Sequence, residues 1–199
     1  MLPLFASAGP FHCWFSLSEA KRSQEIEAVQ ERVRLAVESV EAGSMPGIKS
    51  HEVVGILAFS QGAVASTLLL LQQQAGGIAW LSTIRFTILI CSDFTSEVMD
   101  WVRGEPNRQQ RVHTDALHLH GTQDSYGARS RMMLSLHFDR NACAVVEFDG
   151  GHHLPQSKAE CKKVAAWIGN ITRSGDEVSV IRKTILKGPV SSVKEQLVR

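Results

Sequence analysis

The sequence predicts an α/β domain with a mostly parallel sheet flanked by helices, on three observations. Short apolar runs rich in β-branched residues alternate with longer runs of helical character through most of the chain. A serine stands where one such strand meets the helix after it, in Ala58-Phe-Ser-Gln-Gly62. At 199 residues and 44% hydrophobic, the chain can bury one substantial core.

Each element has its own signal. After an aromatic segment bounded by Gly and Pro, Gly9-Pro-Phe-His-Cys-Trp-Phe15, apolar residues recur at helical spacing from Ser18 to Glu41, with Ile26, Val29, Val33, Leu35, Ala36 and Val40. Gly43 and Pro46 stop that helix. His51 to Phe59 reads as a buried strand, and Ala63 to Ala75 as a mostly apolar helix lying on a sheet. Its leucines, Leu68 to Leu71, read as helix core. Ile84 to Cys91 is a second buried strand, with Arg85 snorkelling to an edge. From Ser92 to Thr114 the pattern breaks up around Trp101, Gly104 and Pro106, as in a lid or substrate wall. Ala116 to His120 is a short strand, Arg129 to Phe138 a helix, Ala142 to Phe148 a strand, and Ser157 to Ile171 a helix. Right-handed crossovers between parallel strands are expected. One domain over residues 1–173 is expected, followed by a tail, 174–199, in which Val178 to Leu186 has strand character and Gly188, Pro189 and Ser191 look like linker.

Composition excludes several functions. A net charge of +1, from 21 basic and 20 acidic residues, creates no broad attraction for nucleic acid or an anionic membrane. Cys13, Cys91, Cys143 and Cys161 show no C-x-x-C spacing, so reduced thiols are expected rather than a zinc knuckle or redox pair. The amino terminus lacks the basic start and long apolar run of a secretory signal, and no segment is apolar for long enough to span a bilayer. A soluble, cytoplasmic protein is expected.

The serine at the strand–helix junction is the centre of the chemistry. On so tight a turn the backbone is strained and the hydroxyl is thrust out at the end of the sheet, and small residues two before and two after it, Ala58 and Gly62, let strand and helix approach. A serine hydroxyl is a poor nucleophile until a histidine takes its proton, and that histidine needs a carboxylate to fix its tautomer. Asp124 follows one later strand and His152 the next, both at the sheet end where Ser60 would lie. Alternatives stand beside each. Asp124 could serve as a helix N-cap; His153 competes with His152; Asp93, Asp139 and Asp149 are weaker acids, read as turn or surface carboxylates. His118 and His120, two apart on a strand, have a spacing that zinc sites also use, but no dense ligand motif completes it. His118 is instead read as packing under the acid loop, and neither metal nor cofactor is expected.

Three ordered segments, A-F-S-Q-G-A at Ala58 to Ala63, H-L-H-G-T-Q-D at His118 to Asp124 and G-G-H-H-L-P at Gly150 to Pro155, resemble the fungal serine-hydrolase family of the α/β-hydrolase fold. The Gly9 to Phe15 segment is similar to that family's aromatic stretch, and the resemblance runs from about Gly9 to Ile171. It implies Ser60 as nucleophile, Asp124 as orienting acid and His152 as base, with the backbone N–H of Gln61 as one oxyanion donor. It also implies an esterase or thioesterase of fungal polyketide metabolism, acting on a small-molecule ester or acyl-thioester, with an acyl-carrier protein as a further partner. The family's pattern has a leucine-rich strand ending in His-Gly ahead of the nucleophile, which supplies the second oxyanion donor. The one His-Gly here is His120-Gly121. Relative to the family, the chain therefore looks shortened at its start, with first strands missing and an edge of the Val53 to Phe59 strand open. Losing one oxyanion donor costs about 2.7–4 kcal/mol of transition-state stabilisation. That departure motivates an alternative, a catalytically impaired homologue acting as a binding or interaction protein.

Overall fold

The computed structural model describes Trp14 and residues 21–44, 50–93 and 111–173. The irregular stretch expected to form a lid or wall, most of the aromatic segment and the tail from residue 174 lie outside those residues.

Four strands, β1 (Gly55–Phe59), β2 (Phe86–Ile90), β3 (Asp115–Gly121) and β4 (Cys143–Phe148), form one sheet in the order β1-β2-β3-β4. Every pairing is parallel, with Gly55 opposite Phe86, Phe86 opposite Asp115 and Ala116 opposite Cys143. A parallel sheet needs both faces covered because its connections are helices that pack back onto it. One face is covered by α1 (Arg22–Glu41), α2 (Gln61–Gln74) and α3 (Gly127–His137), the other by α4 (Lys158–Arg173).

The two faces carry separate cores. On the first, Ile26 and Val29 of α1, Val64, Leu68 and Leu70 of α2, and Met133 of α3 with Phe138 behind it pack on Ala58, Leu89 and Ala116. On the second, Trp167 of α4, with Val164 and Ile168, packs on Phe86, Ile88, Leu117, Leu119 and Phe148. The Trp167 ring meets Phe86 edge-on, with centroids 5.9 Å apart. As expected of helix core, Leu68, Leu69 and Leu70 are buried.

Where the structure departs from the sequence reading, pairing explains it. The first strand begins at Gly55 rather than His51, because β2 starts opposite Gly55 and only isolated bonds reach further back, from Arg85 N–H to Val54 O and from Thr83 Oγ1 to Val53 O. Arg85 lies just ahead of β2 and is exposed, with Glu52 3.6 Å away; it is not inside the strand. Cys91 leaves β2 altogether, since its φ of 46° is incompatible with a strand. Among the described residues β1 has β2 as its one strand neighbour, and Leu57 on it is 62% exposed. No helix among them is long and apolar enough to cross a membrane.

Candidate active site

All four strands run the same way, so the loops leaving their C-terminal ends gather at one rim of the sheet, where ligands bind in open parallel sheets. Ser60 leaves β1, Cys91 leaves β2, Asp124 lies three residues past β3 and His152 four past β4.

Ser60 links β1 directly to α2 with φ 56° and ψ −123°. For a residue with a side chain this conformation costs of the order of 1–3 kcal/mol, so the surroundings must hold it. They do so through its N–H, which donates to Ile90 O at 2.9 Å, and through close packing of strand and helix. A Cβ on Gly62 would lie 4.0 Å from the Ala58 methyl and 3.3 Å from Trp14 Nε1, so Ala58 is accommodated where a glycine is commoner. Gln61 is the first residue of α2, ahead of any intrahelical acceptor for its N–H. Its side-chain oxygen accepts the Trp14 N–H at 2.6 Å, which ties Trp14 to the elbow.

The acid and base loops are built against each other. Thr122 N–H donates to Phe148 O and Gln123 N–H to Gly150 O, both at 2.9 Å. A Cβ on Gly121 would meet the carbonyl oxygens of Gly150 and Gly151 at 2.5 Å, and one on Gly150 would meet the His153 ring at 2.6 Å. Glycine at position 121 lets the two loops touch, and glycine at 150 leaves room for the His153 ring folded back on its own loop. Asp124 Oδ1 accepts the Tyr126 N–H at 2.8 Å, an Asx turn at the start of α3. The helix N-cap considered from sequence is not what Asp124 supplies, since Tyr126 holds that position; the turn contact coexists with a second one.

That contact is to His152. Its Nδ1 faces Asp124 Oδ1 at 3.2 Å and Oδ2 at 3.1 Å, while its Nε2 lies 2.8 Å from Ser60 Oγ. The geometry suits a neutral imidazole donating from Nδ1 to the carboxylate and accepting the serine O–H at Nε2. The Asp124 side chain is 1% exposed and that of His152 26%, so the carboxylate is dry while the imidazole edge meets solvent. Burial opposes ionisation of Asp124, but the Tyr126 N–H, the His152 ring and the Cys91 thiol outweigh it and hold the carboxyl below its ordinary value. Burial pushes the Cys91 thiol up to about 11.

His153 turns the other way. Its Nδ1 donates to Leu154 O at 2.8 Å and its Nε2 accepts from Gly151 N at 3.2 Å, so both nitrogens are used within its own loop. Asp93 pairs with Arg129 at 2.7 Å, Asp139 caps the Asn141 N–H, and Asp149 accepts from Gln123, all turn or surface contacts. His118, expected under the acid loop, is fully buried and meets the ring of Phe138, at the end of α3, edge-on at 4.7 Å. His120, two residues nearer the rim, is buried beside it, with centroids 6.1 Å apart. Among the described residues the one group with metal-ligand spacing is Cys91, Asp124 and His152; His118 and His120 belong to none.

Sequence reasoning missed the aromatic frame around the imidazole. The His152 ring contacts both Phe59 and Tyr126, with centroids at 5.0 and 4.9 Å, and Arg129 lies over the Tyr126 ring at 5.0 Å while pairing with Asp93. Phe59 was legible as the residue before the nucleophile. Tyr126, the lone tyrosine of the chain, was signalled only by its place two residues after the acid.

Residues 5–164 match the serine hydrolase (FSH1) family. The chain belongs to that family. The hydrolase is 32% identical over 171 residues to esterase mlcF of Penicillium citrinum, a match covering 82% of this chain and 68% of that one. It is 29% identical over 182 residues to the dihydromonacolin L-[lovastatin nonaketide synthase] thioesterase of Aspergillus terreus, covering 82% and 71%. Thioesterase FSL2 of Gibberella zeae is 27% identical over 187 residues, covering 83% and 71%. Among solved structures, TT1662 from Thermus thermophilus superimposes with a TM-score of 0.51 at 18% identity, over 76% of this chain and 66% of that one, a likeness of fold. The fold is that of the α/β hydrolases. None of these relatives is named as a non-catalytic binding protein, and nothing in the comparisons supports that alternative.

Proposed function

We propose that this hydrolase cleaves an ester or thioester through an acyl intermediate on Ser60. The observation that carries the reading is the 2.8 Å approach of His152 Nε2 to Ser60 Oγ while the opposite ring nitrogen faces Asp124. His152 takes the hydroxyl proton as Oγ attacks the carbonyl carbon, then returns it to the departing alcohol or thiol. Asp124 stabilises the imidazolium that exists between those steps. Water, deprotonated by the same imidazole, releases the acid and restores Ser60. The Gln61 N–H, next to the nucleophile at the start of α2, is positioned in sequence to donate to the developing oxyanion.

The relatives named thioesterases support an acyl-thioester substrate; the finer reading we propose is a polyketide chain offloaded from an acyl-carrier protein in the cytoplasm. The family assignment supports the hydrolytic chemistry. Ser60→Ala is expected to lower hydrolysis of a p-nitrophenyl ester and of an acyl thioester by about 10⁴-fold or more. Full retention of both activities would remove the reading. Offloading is tested with an acyl chain loaded on a carrier protein: faster release from the carrier than from a free thiol of the same acyl group supports a carrier partner, and equal rates contradict it.

A further inference from the structure

The end of β2 brings a third ligand-type side chain to the acid–base pair. Cys91 is fully buried in the left-handed region, at φ 46°, with its N–H donated to Leu119 O at 2.9 Å. That backbone fixes the thiol where the acid loop and base loop meet, 3.7 Å from Gly151 O and 3.6 Å from His153 O. One ligand atom from each of Cys91, Asp124 and His152 lies within 4.8 Å of the other two.

Thiolate, carboxylate and imidazole together are a donor set for borderline and soft divalent cations, whereas magnesium and calcium take oxygen ligands. Zinc binds sulfur at about 2.3 Å and nitrogen or oxygen at about 2.0–2.2 Å, which puts tetrahedral ligand atoms roughly 3.3–3.8 Å apart. A closure of at most about 1.5 Å therefore completes three corners, with water free to take the fourth. Charge also balances: one thiolate and one carboxylate neutralise a dication, so a dry site carries no net charge.

We propose that Cys91 Sγ, an Asp124 oxygen and His152 Nδ1 form an inhibitory site for a thiophilic divalent cation of the zinc or cadmium class. Binding sends the Cys91 thiol proton and the Nδ1 proton to solvent, and Nε2 takes one up, leaving the imidazole neutral. Nε2–H then faces Ser60 Oγ as a donor, with no lone pair to accept the serine proton. Asp124 is simultaneously occupied by the cation. The inhibitory half rests on the hydrolase reading above; the binding half does not.

The test uses the full chain with one equivalent of Zn²⁺ or Cd²⁺. X-ray absorption at the zinc edge is expected to show one sulfur with nitrogen and oxygen ligands, and a zinc shell without sulfur overturns the site; this needs no variant. With Cd²⁺, wild type and Ser60→Ala are both expected to develop the ultraviolet thiolate-to-cadmium band, which Cys91→Ala loses. Zinc is expected to suppress ester hydrolysis by tenfold or more, reversibly with EDTA. Cys91→Ala, whatever its own rate, is expected to be unaffected at that concentration. Equal fractional inhibition of Cys91→Ala, or an undiminished cadmium band in it, overturns the proposal. A cadmium band in a wild-type protein that hydrolyses nothing would instead leave the site standing and remove the hydrolase reading.

Discussion

Asp124 and His152 are 28 residues apart and Ser60 and His152 are 92 apart, yet their functional atoms stand within 3.2 Å of one another in sequence from carboxylate to hydroxyl. Each residue was legible because its type and its place after a strand are demanded by the chemistry. The choice between His152 and His153 was not settled by spacing, since adjacent residues on a loop can point anywhere; the carbonyl of Leu154, which captures the His153 ring, decides the geometry. Asp124→Asn is expected to keep the backbone turn while favouring the wrong imidazole tautomer, lowering kcat by about 10⁴-fold with little effect on KM. A steady-state comparison with wild type checks it. Because its carboxyl is held below the ordinary aspartate value, the stabilisation it gives is complete above that value and is lost as pH falls through the lower folded-state value. Tyr126→Ala should release the ring that flanks His152, and a loss of positioning of this kind costs about tenfold or more in kcat.

At the scale of elements, strand and helix identities were readable from periodicity, whereas their ends were set by partners that periodicity does not contain. β1 begins where β2 begins, and Cys91 leaves β2 by a backbone rotation that nothing in Ile84 to Cys91 announces. The acid and base loops owe their close contact to Gly121. Gly121→Ala is expected to force the two loops apart, costing about 1–3 kcal/mol in a urea titration and lowering kcat/KM, because the clash is with backbone. β3 carries a different liability. Burial, with the neighbouring His120 charge, pushes His118 down to about 3, and burial first and then Arg131 lower His120 as well, against the pull of Glu147 and Asp124. Neither ring has a hydrogen-bond partner among the described residues. The unfolded chain therefore binds protons that the folded one does not, so stability falls as pH drops from about 6.5, at up to about 1.4 kcal/mol per pH unit for His118, with His120 acting in the same direction. His118→Leu should flatten that slope by about one proton between pH 6 and 4, as measured by urea midpoints across pH.

For the whole molecule, the parallel sheet is what turns four separate loops into one site, and it was predictable because alternating strands and helices have few other ways to bury both faces. The frame of Phe59, Tyr126 and Arg129 was not, since it depends on how α3 leaves the acid loop in three dimensions. With a core on each face, Leu70→Ala and Leu117→Ala should each cost about 2–5 kcal/mol, and the double variant should match their sum to within about 0.5 kcal/mol. Chemical denaturation of the four proteins of that cycle checks the layering. The central claim is that folding activates one hydroxyl, and fluorophosphonate labelling of the folded chain followed by peptide mass spectrometry tests it most directly. The account predicts a single adduct on Ser60 that disappears in His152→Ala; a folded wild-type chain that stays unlabelled, or an adduct that persists without His152, would contradict it.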